Sequence, residues 1–296
     1  MKQLILTVFL TISILFKMEV QAQNFKAIET NSLKLKVYNA PENSFGVASV
    51  IISGKTDVVL IDAQFTLADA EKVAQEIKLE GKTLTTIYVS HGDPDFYFGL
   101  EIFKKYFPGV TAYASPATVE HIKATAQKKL EVWGERLGKA ITSNAVLPQV
   151  LKGNSIELEG TKLEIIGLEE FPNQTFVWIP AIKAVVGGIN IFGTSFHLWM
   201  ADAQTTEARN QWISVLNKIE TLHPEIVIPA HGKSGTSLDI SAIKHTKDYI
   251  QFYEEALKTS KISEALIGTL KSKYPTLTFE TALMIGAKVN TGEMKW

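Results

Sequence analysis

The sequence predicts a mixed α/β (α+β) fold: two sheets faced by helices, with further helices at the C-terminal end. Three observations predict it. Apolar runs of strand length alternate with amphipathic runs of helix length from about residue 33 onward. Strand-rich stretches precede helices twice over. The chain has 296 residues, of which 46% are hydrophobic, enough for one large core.

The elements follow in order. Leu33–Tyr38 alternates with period two, and Phe45–Ser53 continues as an apolar strand. Lys55-Thr56-Asp57 turns into a strand over Val58–Asp62. Thr66 is a helix cap with Asp69 three residues on, and Gly81 ends that helix. Leu84–Ser90 reads as a buried strand, and Val110–Ala114 as another. Ser115-Pro116 starts a helix, amphipathic over 117–140, with Trp133 and Leu137 on one side. Strands resume from Ile156, Thr205-Thr206-Glu207 opens a helix to about Leu222, and 237–272 reads as one or two helices. There is no solenoid repeat and no low-complexity linker, so residues 23–296 read as one domain.

The N-terminus reads as a secretory signal over residues 1–22. Met1-Lys2 gives a positive start, Leu4–Phe16 an apolar run, and Val20-Gln21-Ala22 small residues for cleavage after Ala22. The apolar run is short for a bilayer span, so a periplasmic or secreted protein without a stable membrane anchor is expected. The net charge of −1 and the lack of a dense basic cluster disfavour nucleic-acid partners. With no cysteine, disulfides, thiolate metal sites and cysteine nucleophiles are excluded.

The run carrying chemistry is Val89-Ser90-His91-Gly92-Asp93-Pro94-Asp95-Phe96-Tyr97-Phe98-Gly99, between a strand and a helix. His91, Asp93 and Asp95 alternate, and alternate side chains of an extended segment share a face. The run resembles the His-x-His-x-Asp-His signature of the metallo-β-lactamase fold superfamily. His91 matches its first His and Asp95 its Asp, while Asp93 and Phe96 stand where two further His belong. Val58–Asp62, Leu163–Leu168, Ala184–Gly188 and Ile226–Gly232 resemble the family's other site-bearing strands, the last ending on His231. Glu170 is nearest to the third-His position, and Gly188 stands at that of the bridging Asp. The resemblance spans roughly residues 25–235 and implies a four-layer αββα sandwich, with the 117–140 helix as an insertion beside the site mouth.

The resemblance implies a small-molecule hydrolase with one divalent ion on His91, Asp93, Asp95, His231 and Glu170. The ion would be zinc by resemblance, or manganese or another hard cation given the oxygen donors. Asp95 is the expected general base. Esters, lactones or β-lactam-like molecules are the expected substrates. His197, Tyr97 and Trp199 are candidates for the substrate pocket. Each residue also has a plainer reading: turn chemistry for Asp93 and Asp95, a solvated pair for Glu169-Glu170, and packing for His197, Tyr97 and Trp199. The altered positions leave a second function open, a metal-free protein binding a small molecule or a partner on the same fold.

Overall fold

The structure is a computed structural model that describes residues 25–296. The signal-like segment 1–22 lies outside the described residues. The first sheet carries β1 (Phe25–Glu29), β2 (Lys34–Asn39), β3 (Ala48–Ser53), β4 (Asp57–Ile61), β5 (Thr83–Val89), β6 (Thr111–Ala114) and β7 (Gln149–Val150) in that order. Strands β1 to β4 pair antiparallel, and β4 to β7 pair parallel. Parallel neighbours need crossovers, and helices supply them: α1 (Leu67–Leu79), the single turn α2 (Pro94–Tyr97), α3 (Leu100–Tyr106) and α4 (Pro116–Leu137). The second sheet runs β12-β11-β10-β9-β8, formed by β8 (Ser155–Leu158), β9 (Thr161–Ile166), β10 (Phe176–Ile179), β11 (Ala184–Val186) and β12 (Ile226–Val227). Helices α5 (Thr206–Thr221), α6 (Ser241–Thr259), α7 (Ser263–Lys273) and α8 (Glu280–Asn290) complete the chain.

Strand periodicity sorts the core into layers. In β4, Val59 and Ile61 face the second sheet and pack with Leu163, Ile165 and Val186. Val58 and Leu60 point the other way, into a cluster with Val73, Ala74 and Ile77 of α1. A third cluster joins Val185 of the second sheet to Trp212, Val215 and Ile219 of α5 and to Tyr249 and Tyr253 of α6. Both faces of each sheet are therefore covered, which is why Val58–Ile61 of β4 and Phe176–Ile179 of β10 are apolar at every position. The result is the αββα sandwich that the sequence predicts.

The caps fall where the sequence puts them. Thr66, Ser115 and Thr205 accept from the backbone N–H three residues on, each satisfying a donor the helix leaves free. Two details differ. The chain before β3 is not strand: a short 3₁₀ turn, Glu42–Ser44, leads to Phe45 at φ +62°. The C-terminal region also holds α8, beyond the stretch the sequence reading named. Its apolar Ala282, Leu283 and Ala287 sit among polar positions at helical spacing, and they pack into the α5–α7 cluster.

Candidate active site

The parallel strands and the second sheet end at one edge, where α/β proteins place ligands. Asp62 follows β4, His91 follows β5, Gly188 follows β11 and His231 follows β12. A buried network fixes these ends together. The Ser90 N–H and hydroxyl donate to the two Asp62 oxygens at 2.7 Å each, and the Gly188 N–H donates to Ser90 Oγ at 2.7 Å. Burial pushes the Asp62 carboxyl up to about 7, against the lowering effect of those bonds from Ser90.

His91 Nδ1 accepts from the Asp93 N–H at 3.3 Å and lies 3.4 Å from Asp93 Oδ2. The ring also hydrogen-bonds the Asn173 backbone. Burial lowers its pKa, partly offset by Asp93. His231 Nδ1 meets the Phe45 carbonyl at 3.0 Å, so that nitrogen carries the proton. Nε2 is left with its lone pair toward Asp95 Oδ2, 3.5 Å away. Burial lowers His231 to about 4, so its ring is neutral near pH 7. Asp95 is buried, at 7% exposure. Burial first, and then the neighbouring Asp93 charge, raise its pKa well above the ordinary carboxylate range.

Asp93 behaves oppositely. Burial pushes its pKa up, but His91 and Lys129 outweigh that and hold it low. Lys129 comes from α4, and its Nζ donates to Asp93 Oδ1 at 2.8 Å and to the Gly92 carbonyl at 3.1 Å. His121 Nε2 lies 3.1 Å from the same nitrogen.

Asp93, Asp95, His121, Lys129 and His231 form the floor of a cavity of about 530 Å³. Phe45, Phe65, Trp133, Trp199, Phe279 and Trp296 wall it, with Lys128, Arg136 and Lys295 along its lining. The aromatic rings brace one another. Trp133 meets Phe45 at 5.4 Å and Phe65 at 5.2 Å between centroids, and Trp199 meets Trp296 at 5.5 Å. Phe45 and Phe279 both hold left-handed backbone, φ +62° and +67°, a conformation that costs a bulky residue about 1–3 kcal/mol. Glu42 Oε1 accepts from the Phe279 N–H at 2.9 Å and ties the two segments together.

The sequence-predicted residues divide. His91 is brought beside Asp93 and His231 beside Asp95, and Trp199 lines the cavity. Glu170 is not brought to them. It is exposed and lies 3.6 Å from Lys218. Nor do His197 and Tyr97 line the cavity. His197 is fully buried against Tyr249, with Nδ1 3.0 Å from the hydroxyl, and burial lowers its pKa to about 4. Tyr97 is buried in the first sheet's helix layer and stacks edge-on to Phe98. Sequence reasoning missed His121, Lys129 and Phe279. A signal for two of them was present: His121, Thr125, Lys129 and Trp133 recur every fourth residue, one stripe along α4.

Among the described residues, no three His, Asp or Glu side chains converge as a metal-holding set. The reasons are local. The Phe96 ring makes edge contacts with both imidazoles, 5.4 Å from His91 and 5.7 Å from His231, and separates them with carbon. Gly188 has φ +77°, and a Cβ there would lie 2.4 Å from the Thr175 carbonyl oxygen, so no bridging carboxylate fits. An ammonium already engages Asp93. The donors as arranged do not fit a held divalent ion.

The family model of the metallo-beta-lactamase superfamily matches residues 43–181. The chain has the metallo-β-lactamase fold. Among solved structures, the metallo-beta-lactamase DIM-1 is 20% identical with a TM-score of 0.55, over 77% of this chain and 98% of that one. Metallo-beta-lactamase IND-7 is 18% identical with a TM-score of 0.55, over 77% and 98%. A metallo-beta-lactamase from Pontibacter korlensis is 18% identical with a TM-score of 0.52, over 77% and 99%. At such identities the likeness is one of fold. No curated protein matches the chain in sequence. Among the described residues, no helix is long and apolar enough to cross a membrane.

Proposed function

We propose that this chain is an exported hydrolase of the metallo-β-lactamase superfamily. Its substrate is a small, largely apolar ester, lactone or β-lactam-like molecule held in the aromatic cavity. One observation carries the reading: a buried carboxyl and an accepting imidazole, Asp95 and His231, stand side by side on the cavity floor. The carbonyl of Phe45 fixes the His231 tautomer so that Nε2 faces Asp95. A carboxyl whose pKa is raised by burial exchanges protons closer to neutral pH than an ordinary one. Protonated, Asp95 donates to His231 Nε2, which orients the carboxyl; ionised, Asp95 takes the proton of an attacking water and returns it to the leaving oxygen, or to the leaving nitrogen of a β-lactam. The aromatic wall excludes bulk water and positions the apolar body. Export rests on the N-terminal apolar run and its small-residue end.

The test is a panel of aryl esters, γ-lactones and β-lactams, assayed with wild type and Asp95→Asn. Hydrolysis of at least one class, lost about 100-fold or more in the variant with the fold kept, is the expected result. Activity surviving the substitution, or no turnover of any class, overturns it. A second reading, binding without turnover, is favoured by the donor set that does not converge. Saturable binding of a panel member without product would select it.

A further inference from the structure

The altered ligand positions leave two carboxylates, Asp93 and Asp95, at one floor, and something must offset their charge. The structure shows what lies there. Lys129 Nζ has one partner for each of its three protons: Asp93 Oδ1 at 2.8 Å, the Gly92 carbonyl at 3.1 Å and His121 Nε2 at 3.1 Å. Because an ammonium only donates, His121 Nε2 must be the accepting nitrogen, and its ring is neutral. The Lys129 and Asp93 side chains are 21% and 26% exposed, so solvent screens this pair less than a surface one.

The approach is built rather than incidental. Trp133, one turn beyond Lys129, is locked between Phe45 and Phe65 and fixes that face of α4 over the loop. The loop makes room for the helix: a Cβ on Gly92 would lie 2.5 Å from His121 Cδ2. Phe96 separates the imidazoles of His91 and His231, and Gly188 admits no carboxylate. The departures at Phe96 and Gly188 thus each remove a donor, and Lys129 adds a fixed positive charge.

We infer that the Lys129 ammonium is the resident cation of this site, in place of a metal ion, and that the protein reaches its stable folded state without a metal. The inference goes beyond the hydrolase reading and holds whether or not the cavity turns over what it binds.

The experiment uses the full chain as purified, with no substrate. Elemental analysis follows soaking in Zn²⁺ or Mn²⁺ and removal of free ion, and melting temperatures are read with and without chelator. Wild type should retain well under one ion per chain, and its melting temperature should not respond to chelator or to either metal. Lys129→Met should melt lower, by roughly 5 °C. Adding Asp93→Asn to that variant should recover most of the loss, since the uncompensated charge is then gone, and Lys129→Arg should melt close to wild type.

About one retained ion per wild-type chain, with a lower melting temperature after chelation, would overturn the inference. A Lys129→Met protein that melts like wild type would overturn it too, as would a loss that Asp93→Asn does not recover, because the lysine would then serve packing alone. If Lys129→Met does not fold, the wild-type metal measurements still decide. A lack of hydrolysis would bear on the proposed function and leave these readings intact.

Discussion

The floor and the wall of the cavity are built differently. The floor is Asp93 and Asp95 beyond β5 and His231 beyond β12, set on strand ends that the Asp62–Ser90–Gly188 network holds. The wall is made of side chains from distant elements: Phe45 before β3, Trp133 on α4, Trp199, and Phe279 at the start of α8. The floor holds titratable groups at short range, whereas the wall holds apolar area. The floor should therefore govern turnover and its pH dependence, and the wall should govern affinity. Lys129 links the two, since it belongs to α4 and binds the floor.

The largest expected effect is on the floor. Asp95→Asn should lower kcat by about two to four orders of magnitude and leave ligand affinity within a few-fold. Steady-state kinetics with direct binding measurement checks it, and equal losses in both would erase the division.

Next is the backbone under the floor. Gly188→Asp returns the residue the superfamily's pattern expects, yet at φ +77° and against the Thr175 carbonyl it should destabilise by about 3 kcal/mol or prevent folding. Urea unfolding measures this. A variant as stable as wild type would show that the site can reopen toward a metal centre.

On the wall, Trp133→Ala should weaken binding of an apolar ligand about tenfold with kcat nearly unchanged. Loss of ligand-induced fluorescence quenching at matched concentrations would report it. A fall in kcat of the same size would mean that the wall also sets the floor's geometry, through Lys129.

pH gives the smaller effects. The Asp95 carboxyl, raised by burial, acts as base when ionised, so kcat/KM should rise with pH through a value above the ordinary carboxylate range. Stability runs by linkage. His231 and His197 are lowered by burial to about 4, below the unfolded value near 6.5. The unfolded chain then binds more protons between those values, so their contribution is present above about pH 6.5 and lost as pH falls toward 4. His197 lies outside the cavity lining, so His197→Asn should reduce the drop in urea midpoint between pH 7 and 4.5 without altering the activity profile. An unchanged drop would move that dependence elsewhere.

Much of this was legible in the chain. The caps at Thr66, Ser115 and Thr205, the strand ends at His91 and His231, and the two-sheet layering follow from periodicity and from residues a few positions apart. The nearness of His91 to Asp93 and of His231 to Asp95 was legible in part, because His91 and His231 follow the ends of apolar strands and Asp93 and Asp95 come two and four residues after His91. Glu170 and His197 were less legible. A loop glutamate beside a strand end does not reveal whether its turn faces the site or solvent, and an aromatic-flanked histidine reads the same in a pocket or in a core.

The sequence by itself determined the fold class and which side chains stand at the strand ends, since local hydrophobic pattern decides those. Only the tertiary structure decided that Gly188 sits in a backbone conformation closed to a carboxylate. Only the tertiary structure, too, brought Lys129 across 36 positions onto Asp93. Charge neutralisation is a matter of distance in space, and that distance is set by how α4 packs on the sheet, which no window of sequence contains.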